Sequence, residues 1–283
     1  MEKFKIDSSI EVIFENNDWV VIENETPQIS MPKYLYKYFS ISDFSLDSLE
    51  NDYIYLSNPK DFNDPFDCNR NLIAEKQKVL GDWDYVERLN DITDIGIACF
   101  SENGMEPLLW SHYAKSYRGY CLKFNIELLI NNQVDSVKLK RVIYSQTPEV
   151  ISQEHPFSSY YQYLLKLDNW KYEQEWRLLF QNPSNAENRF YFDKNCIEEI
   201  SVGYKNMDNS SDKERELKSA FDRIRKERFN DIPLMTVGPH QTKFELNKVL
   251  LKEGTVEDGM EMLNTSFHFC FYKCTPHQLI AKC

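Results

Sequence analysis

Glycine is scarce in this chain. Eight occur in 283 residues, about 3% against the usual ~7%. The closest two are Gly254 and Gly259, and no lysine follows the second. A Walker loop and a GxGxxG dinucleotide fingerprint are therefore absent, and any nucleotide must be held by other means. No stretch approaches the roughly 18 uninterrupted apolar residues of a membrane-spanning helix. The opening MEKFKIDSSIEVIF lacks the apolar core of a secretory signal, so a cytoplasmic location is expected. Positive charge is in deficit, with 33 Lys and Arg against 45 Asp and Glu and a net charge of −12. Autonomous binding to duplex nucleic acid is disfavoured, because that affinity comes from basic residues neutralising phosphates. Seven cysteines, odd in number and widely spread, suit reduced thiols better than a disulfide framework. Internal repeats, low-complexity runs and long Pro/Gly/Ser linkers are also missing.

What is present is an apolar and aromatic supply of 42% and 14%, enough for a packed core. Alternating runs on either side of Asn16–Asn17–Asp18 predict an N-terminal hairpin. Tyr34–Tyr38, Tyr53–Ser57, Ile95–Ser101, Gly119–Asn125, Val137–Ser145 and Ile197–Tyr204 read as strands. Ser42 can cap a short helix through Leu49, and helices are also expected at 74–90, 108–117, 157–167 and 211–229. Trp170–Gln181 and Arg189–Asp193 read as an antiparallel pair. With no regular βαβ beat, the expected class is α+β, mixed and mainly antiparallel sheets with flanking helices. The expected organisation is a hairpin extension over 1–32, a single domain over 33–254 and a tail over 255–283.

The densest chemistry lies in Trp170–Phe180, W-K-Y-E-Q-E-W-R-L-L-F. As a strand, alternation puts Glu173, Glu175 and Arg177 on one face and Trp176, Leu178 and Phe180 on the other. Two carboxylates ~7 Å apart on one face, with a guanidinium beyond, can hold separated protonation states; the alternative is a solvated face with a weak ion pair. Asn63–Asp64–Pro65–Phe66–Asp67 reads as a rigid connector, or with Glu175 as an oxygen cage for a divalent ion. On the helix after Pro107, Leu108, Leu109, His112, Tyr113 and Tyr117 share a face, which directs His112 inward or toward a cleft. A core role for it competes with a thiolate pair to Cys99. His268, Cys270, Cys274 and His277 crowd four potential zinc ligands into ten residues, too tight for the usual two-knuckle site, and no metal site is assigned. The helix at 211–229 mixes both charges and reads as a solvated face.

Taken in order, LYKYFS (35–40), YIYLSNPKDFNDPFD (53–67), IACFSE (97–102), LLWSHYAKSYRGYCLKF (108–124), VIYS (142–145), NWKYEQEWRLLF (169–180) and IEEISVGY (197–204) resemble the bacterial family called domain of unknown function 2971, over roughly residues 33 to 250. More loosely, an opening LYxY strand, a serine-bearing central strand and a late Glu-x-Glu strand are similar to the order in ADP-ribosyltransferases. That second resemblance implies an NAD-using transferase, acting on an unknown acceptor as a toxin or phage-defence effector. It gives Glu175 the role of stabilising the oxocarbenium-like transition state and Glu173 that of orienting the acceptor. Ser101 stands at the second-strand serine, and Tyr36 or Lys37 near the first-strand position. His112 joins these as a candidate catalytic group, while Asn63, Asp64, Tyr113 and Arg177 join Tyr36 and Lys37 as candidate contacts to NAD. Two other functions compete. One is a metal-dependent nuclease or phosphodiesterase with Asp64, Asp67, His112, Glu173 and Glu175 around Mg²⁺ or Mn²⁺. The other is a non-catalytic interaction module in which Trp110, Trp170, Trp176 and NDPFD are structural.

Overall fold

The computed structural model describes residues 2–15, 18–27, 31–74, 95–131, 137–181, 188–207 and 211–251. The turn at 16–17, most of the helix expected over 74–90, and the tail with His268, Cys270, Cys274 and His277 lie outside the described residues. The class is α+β, with helices beside mixed, mostly antiparallel sheets. Chain contacts divide it into two units. The first comprises 1–37, 52–103 and 125–196; the second comprises 38–51, 104–124 and 197–283.

In the first unit, β1 (Glu2–Lys5), β2 (Ile10–Glu15), β3 (Asp18–Glu23) and β4 (Thr26–Pro27) form an antiparallel meander. The expected hairpin is thus β2 and β3, with Val12 opposite Val21. Alternation turns Ile10, Val12, Trp19 and Val21 inward, where they join Ile6, Ile95, Ile97, Phe157, Tyr161 and Leu179 in one apolar cluster. Trp19 meets Phe157 edge-on at 4.9 Å. The N-terminal strands therefore supply core to this unit.

The unit's larger sheet runs in the order β10 (Val137–Arg141), β14 (Glu175–Gln181), β8 (Ile95–Ser101), β5 (Tyr34–Phe39, through Lys37 in this unit). Arg177 of β14 faces Cys99, and Glu175 faces Ser101. Short pairings complete the unit: β6 (Tyr53–Tyr55) with β15 (Arg189–Tyr191), β7 (Ile73–Ala74) with β12 (Ile151–Ser152), and β11 (Ile143–Tyr144) with β13 (Leu165–Lys166). Two expectations need correction here. Arg189–Asp193 does not pair with the Trp170–Gln181 segment; β15 pairs with β6, and β14 is enclosed between β10 and β8. The strand also begins at Glu175, because Asp168–Glu173 winds into a 3₁₀ turn and Gln174 ends it in the left-handed region at φ 45°.

The second unit orders its strands β9 (Tyr120–Asn125, through Phe124), β16 (Ile197–Gly203), β17 (Leu234–Pro239), β18 (Leu246–Leu250). Helix α1 (Asp43–Glu50) carries the expected Ser42 cap. It packs on the long helix Asp212–Arg228, with ion pairs Lys213–Asp43 and Arg223–Glu50 on the solvent side. Beneath them the Tyr120 hydroxyl donates to the Ser45 carbonyl at 2.9 Å. Helix α2 (Pro107–Tyr113) buries Leu109 and Trp110 and leaves Leu108 and His112 exposed. The expected face is therefore rotated: with only seven residues, the large Trp110 ring sets which side is inward, and His112 points outward. The first unit carries helices α3 (Ile126–Ile130) and α4 (Ser158–Leu164).

Candidate functional site

Alternation on β14 puts Glu175 and Arg177 on the same face as Leu179, the face that meets the first unit's apolar cluster. Trp176 and Leu178 are buried on the opposite face. Both faces of the strand are thus enclosed, and the acid-and-arginine face is not solvated: Glu173 and Glu175 are each 3% exposed and Arg177 is 0% exposed. Charges so far from water persist only when paired.

The pairing is complete around Arg177. Its Nε donates to Glu175 Oε1 at 2.8 Å, and its Nη2 to Glu175 Oε2 at 3.3 Å. Its Nη1 and Nη2 grip Asp67 in a two-pronged bond at 2.8 and 2.7 Å. Nη1 also reaches the Tyr163 carbonyl at 2.7 Å, and the Phe62 ring lies 5.3 Å from the guanidinium carbon. The second cation is Lys166, delivered by β13, whose neighbour β11 sets Tyr144 beside it. Lys166 Nζ lies 2.6 Å from Glu173 Oε2, 2.8 Å from Glu175 Oε2 and 3.7 Å from Asp67 Oδ2. The Trp170 ring covers it at 5.1 Å. Glu173 reaches Lys166 although it stands on the 3₁₀ turn and not the strand, because the left-handed Gln174 reverses the chain between the two acids. The Ser101 hydroxyl fixes that turn by donating to the Glu173 carbonyl at 2.6 Å, and the Tyr144 hydroxyl accepts from the Glu175 amide at 2.9 Å.

These contacts set the protonation states. Burial opposes charge on Glu175, but Arg177 and Lys166 outweigh it and hold the carboxyl well below its usual range. Burial likewise opposes the Lys166 ammonium, and Glu175 with Glu173 and Asp67 pushes it above the ordinary lysine value. The Cys99 thiol hydrogen-bonds Glu175 and is driven up by burial and by that carboxylate. It is a neutral thiol here, which removes the thiolate expected of a Cys99–His112 pair. Lys37 is half-buried, donates from Nζ to the Cys99 carbonyl at 3.0 Å and lies 5.5 Å from the Phe100 ring centroid. Burial draws its ammonium down, against the pull of Cys99 and Glu175.

Of the residues expected to share a site, Ser101, Glu173, Glu175 and Arg177 come together in the first unit; Tyr36 faces Ser101 across the sheet, and Lys37, next along the strand, lies over the Phe100 ring. Tyr36, Ser101 and Glu175 consequently form one row over β5, β8 and β14. Asp64 is buried in the NDPFD turn, where its Oδ1 accepts from the Phe66 amide at 2.9 Å, and Asn63 is exposed. His112 and Tyr113 stand on α2 in the second unit. Among the described residues no group of three or more His, Cys, Asp and Glu side chains is arranged to hold a metal ion. Asp67, Glu173 and Glu175 are instead engaged by Lys166 and Arg177. Sequence reasoning missed Lys166. Its signal was a lone lysine inside the apolar run Tyr160–Leu167, since a charge in such a run is retained when it has buried partners.

A family model described as "Protein of unknown function (DUF2971)" matches residues 109–178, which supports that resemblance over the stretch from α2 to Leu178. No curated protein and no solved structure matches the chain.

Proposed function

We propose that the first unit performs ADP-ribosyltransferase-like chemistry, breaking the nicotinamide–ribose bond of NAD with Glu175 as the anion facing the developing cation. The observation that carries this reading is the row Tyr36–Ser101–Glu175 on three neighbouring strands; Ser101 and Glu175 are positions that the resemblance assigns, and Tyr36 is one of the two residues, with Lys37, that it offers for the first strand. Charge supports it. Within bridging distance, three carboxylates meet two cations, Lys166 and Arg177, and the excess negative charge favours a cation nearby. A ribosyl carbon losing its leaving group develops such a charge. Glu175 would carry the negative charge, Ser101 would hold the Glu173 turn, and Tyr36 and Lys37 would contact the dinucleotide. The engagement of Glu175 by both cations sets a requirement: substrate must displace one of those contacts.

That engagement also favours a second reading, in which the cluster maintains the fold of a non-catalytic interaction module. Incubating the purified chain with NAD labelled in the nicotinamide ring, with and without cell lysate as acceptor, separates the two. Transferase chemistry predicts nicotinamide release that falls ~10²–10³-fold in Glu175→Gln, the usual effect of removing one preorganised electrostatic group, with circular dichroism confirming a folded variant. Release that is equal in wild type and a folded Glu175→Gln removes the role given to that residue. No release by the wild type under either condition favours the module.

A further inference from the structure

The two cations of the buried cluster are held in different ways. Arg177 lies on a strand enclosed by β10 and β8, and every nitrogen of its guanidinium has a directed partner. These are Glu175, both oxygens of Asp67 and the Tyr163 carbonyl, with Cys68 Sγ 3.6 Å from Nη1. A planar group bonded in so many directions is fixed. Lys166 ends the two-residue β13, and the 3₁₀ turn Asp168–Glu173 begins two positions on. Its ammonium is a point charge on a flexible four-carbon stem. Short bonds run from Nζ to Glu173 Oε2 and Glu175 Oε2, and the Trp170 ring lies over it. Trp170 is half-buried between the exposed Asn169 and Lys171, so the group that covers Lys166 itself reaches the surface.

The oxygens of Glu175 are divided between these cations. Oε1 takes the short bond from Arg177 Nε at 2.8 Å. Oε2 takes Lys166 at 2.8 Å and only a longer contact of 3.3 Å from Arg177 Nη2. With the arginine in place, Oε2 is the atom that a departing Lys166 uncovers, while Oε1 keeps the carboxylate oriented. Departure also changes the charge. Three carboxylates against two cations become three against one, out of water and beside an aromatic face. Such a place favours another cation over a neutral or negative group. The substrate of the proposed reaction brings one, because the oxidised nicotinamide ring is a flat pyridinium that can lie on a tryptophan face while its charge meets the carboxylates.

We propose that Lys166 is a built-in gate of this site: an internal cation, held by Glu173, Glu175 and Trp170, that stands where an organic cation binds and must be displaced before Glu175 Oε2 is reached. The inference rests on the reading above for its substrate, but its measurement is binding and does not require turnover. The probe is N-methylnicotinamide chloride, a pyridinium with no ribosyl group to transfer, and neutral nicotinamide is the control. The variant is Lys166→Met combined with Glu173→Gln, which removes one charge of each sign and keeps the balance of the cluster.

Calorimetric titration of the full chain is expected to show measurable pyridinium binding by the wild type, at least tenfold tighter binding by the double variant, and no such gain for nicotinamide. Equal pyridinium affinity in wild type and folded double variant overturns the gate. So does a wild type that binds no pyridinium, or a gain that is the same for neutral nicotinamide. Trp170→Leu leaves all five charges in place and decides the matter if the double variant does not fold. Pyridinium affinity should fall at least tenfold in it, and an unchanged affinity overturns the gate. The two proposals separate in the same experiments. The expected binding without nicotinamide release from NAD keeps the gate and removes the transferase reading, whereas release by the wild type with equal pyridinium affinities does the reverse.

Discussion

The chain's two most distinctive motifs are built on opposite principles. In the first unit, W-x-x-E-x-E-W-R is held by charge: Asp67, Glu173, Glu175, Lys166 and Arg177 are all buried and satisfy one another. In the second, W-S-H-Y-A-K-S-Y-R-G is held by shape. Lys115, Ser116 and Tyr117 follow one another in the left-handed region, at φ 48°, 53° and 67°. Tyr117 stacks on Trp110 with an interplanar angle of 10°, and Trp110 donates from its indole to the Gly104 carbonyl at 3.0 Å. Gly119 ends the turn, where a Cβ would fall 2.0 Å from the Phe39 carbonyl oxygen. The turn leaves its polar groups, His112, Lys115 and Ser116, exposed. A motif of charged residues is thus the closed one here, and the motif of aromatic and small residues is the one that presents polar groups to solvent.

The largest effect should come from unbalancing the closed motif. Arg177→Met removes a partner of Asp67 and Glu175 together and leaves three buried carboxylates to the single cation Lys166. Breaking a buried pair from one side costs about 3–5 kcal/mol, a large part of a typical domain's stability. Urea denaturation is expected to show the first unit unfolded or nearly so in this variant, while the double change Arg177→Met with Asp67→Leu recovers part of the loss. A folded Arg177→Met with an unchanged midpoint would mean that the cluster is solvated and that the contrast between the motifs is false.

A smaller effect separates the motifs by pH. Glu175 titrates well below its usual range in the folded chain, against about 4.3 when unfolded. A carboxyl whose folded value is depressed contributes stability that is complete above the unfolded value and is lost as pH falls toward the folded one. Lys166 is shifted the other way, so its contribution is complete below about 10.4 and fades only above that. Stability of the first unit should therefore stay level from neutral pH down to about 5 and decline below about 4. Glu175→Gln, though less stable at neutral pH, should show a shallower decline. Parallel curves for the two proteins would assign the acid sensitivity to other carboxylates.

The same contrast explains what could be read from the sequence. Strands at 34–39, 95–101 and 197–203 and the Ser42-capped helix were legible because periodicity and capping are local. The grouping of Glu173 and Glu175 was legible as spacing, but for the wrong geometric reason: a regular strand was expected, and a 3₁₀ turn with left-handed Gln174 does the work. Their partners were not legible. Lys166 and Asp67 lie 9 and 108 positions from Glu175, and which cation neutralises which acid is decided by β13 and the NDPFD turn meeting in space. His112 was misjudged for the opposite reason. A helical face was read over ten residues, and the helix has seven, so one bulky ring fixed its rotation.

The smallest expected effect concerns that histidine. His112 is exposed on α2, with its ring 6.1 Å from the Tyr113 ring, so His112→Ala removes little packing, and surface changes of this kind usually fall within about 0.5 kcal/mol. A stability change of that size is the expected result for the folded protein. The informative measurement is nicotinamide release. A chemistry confined to the first-unit row does not need this imidazole, and its rate should be the same in His112→Ala. A hundredfold loss without a change in stability would give the open motif a part in the proposed reaction, and the proposal that the first-unit row alone carries it would have to be redrawn.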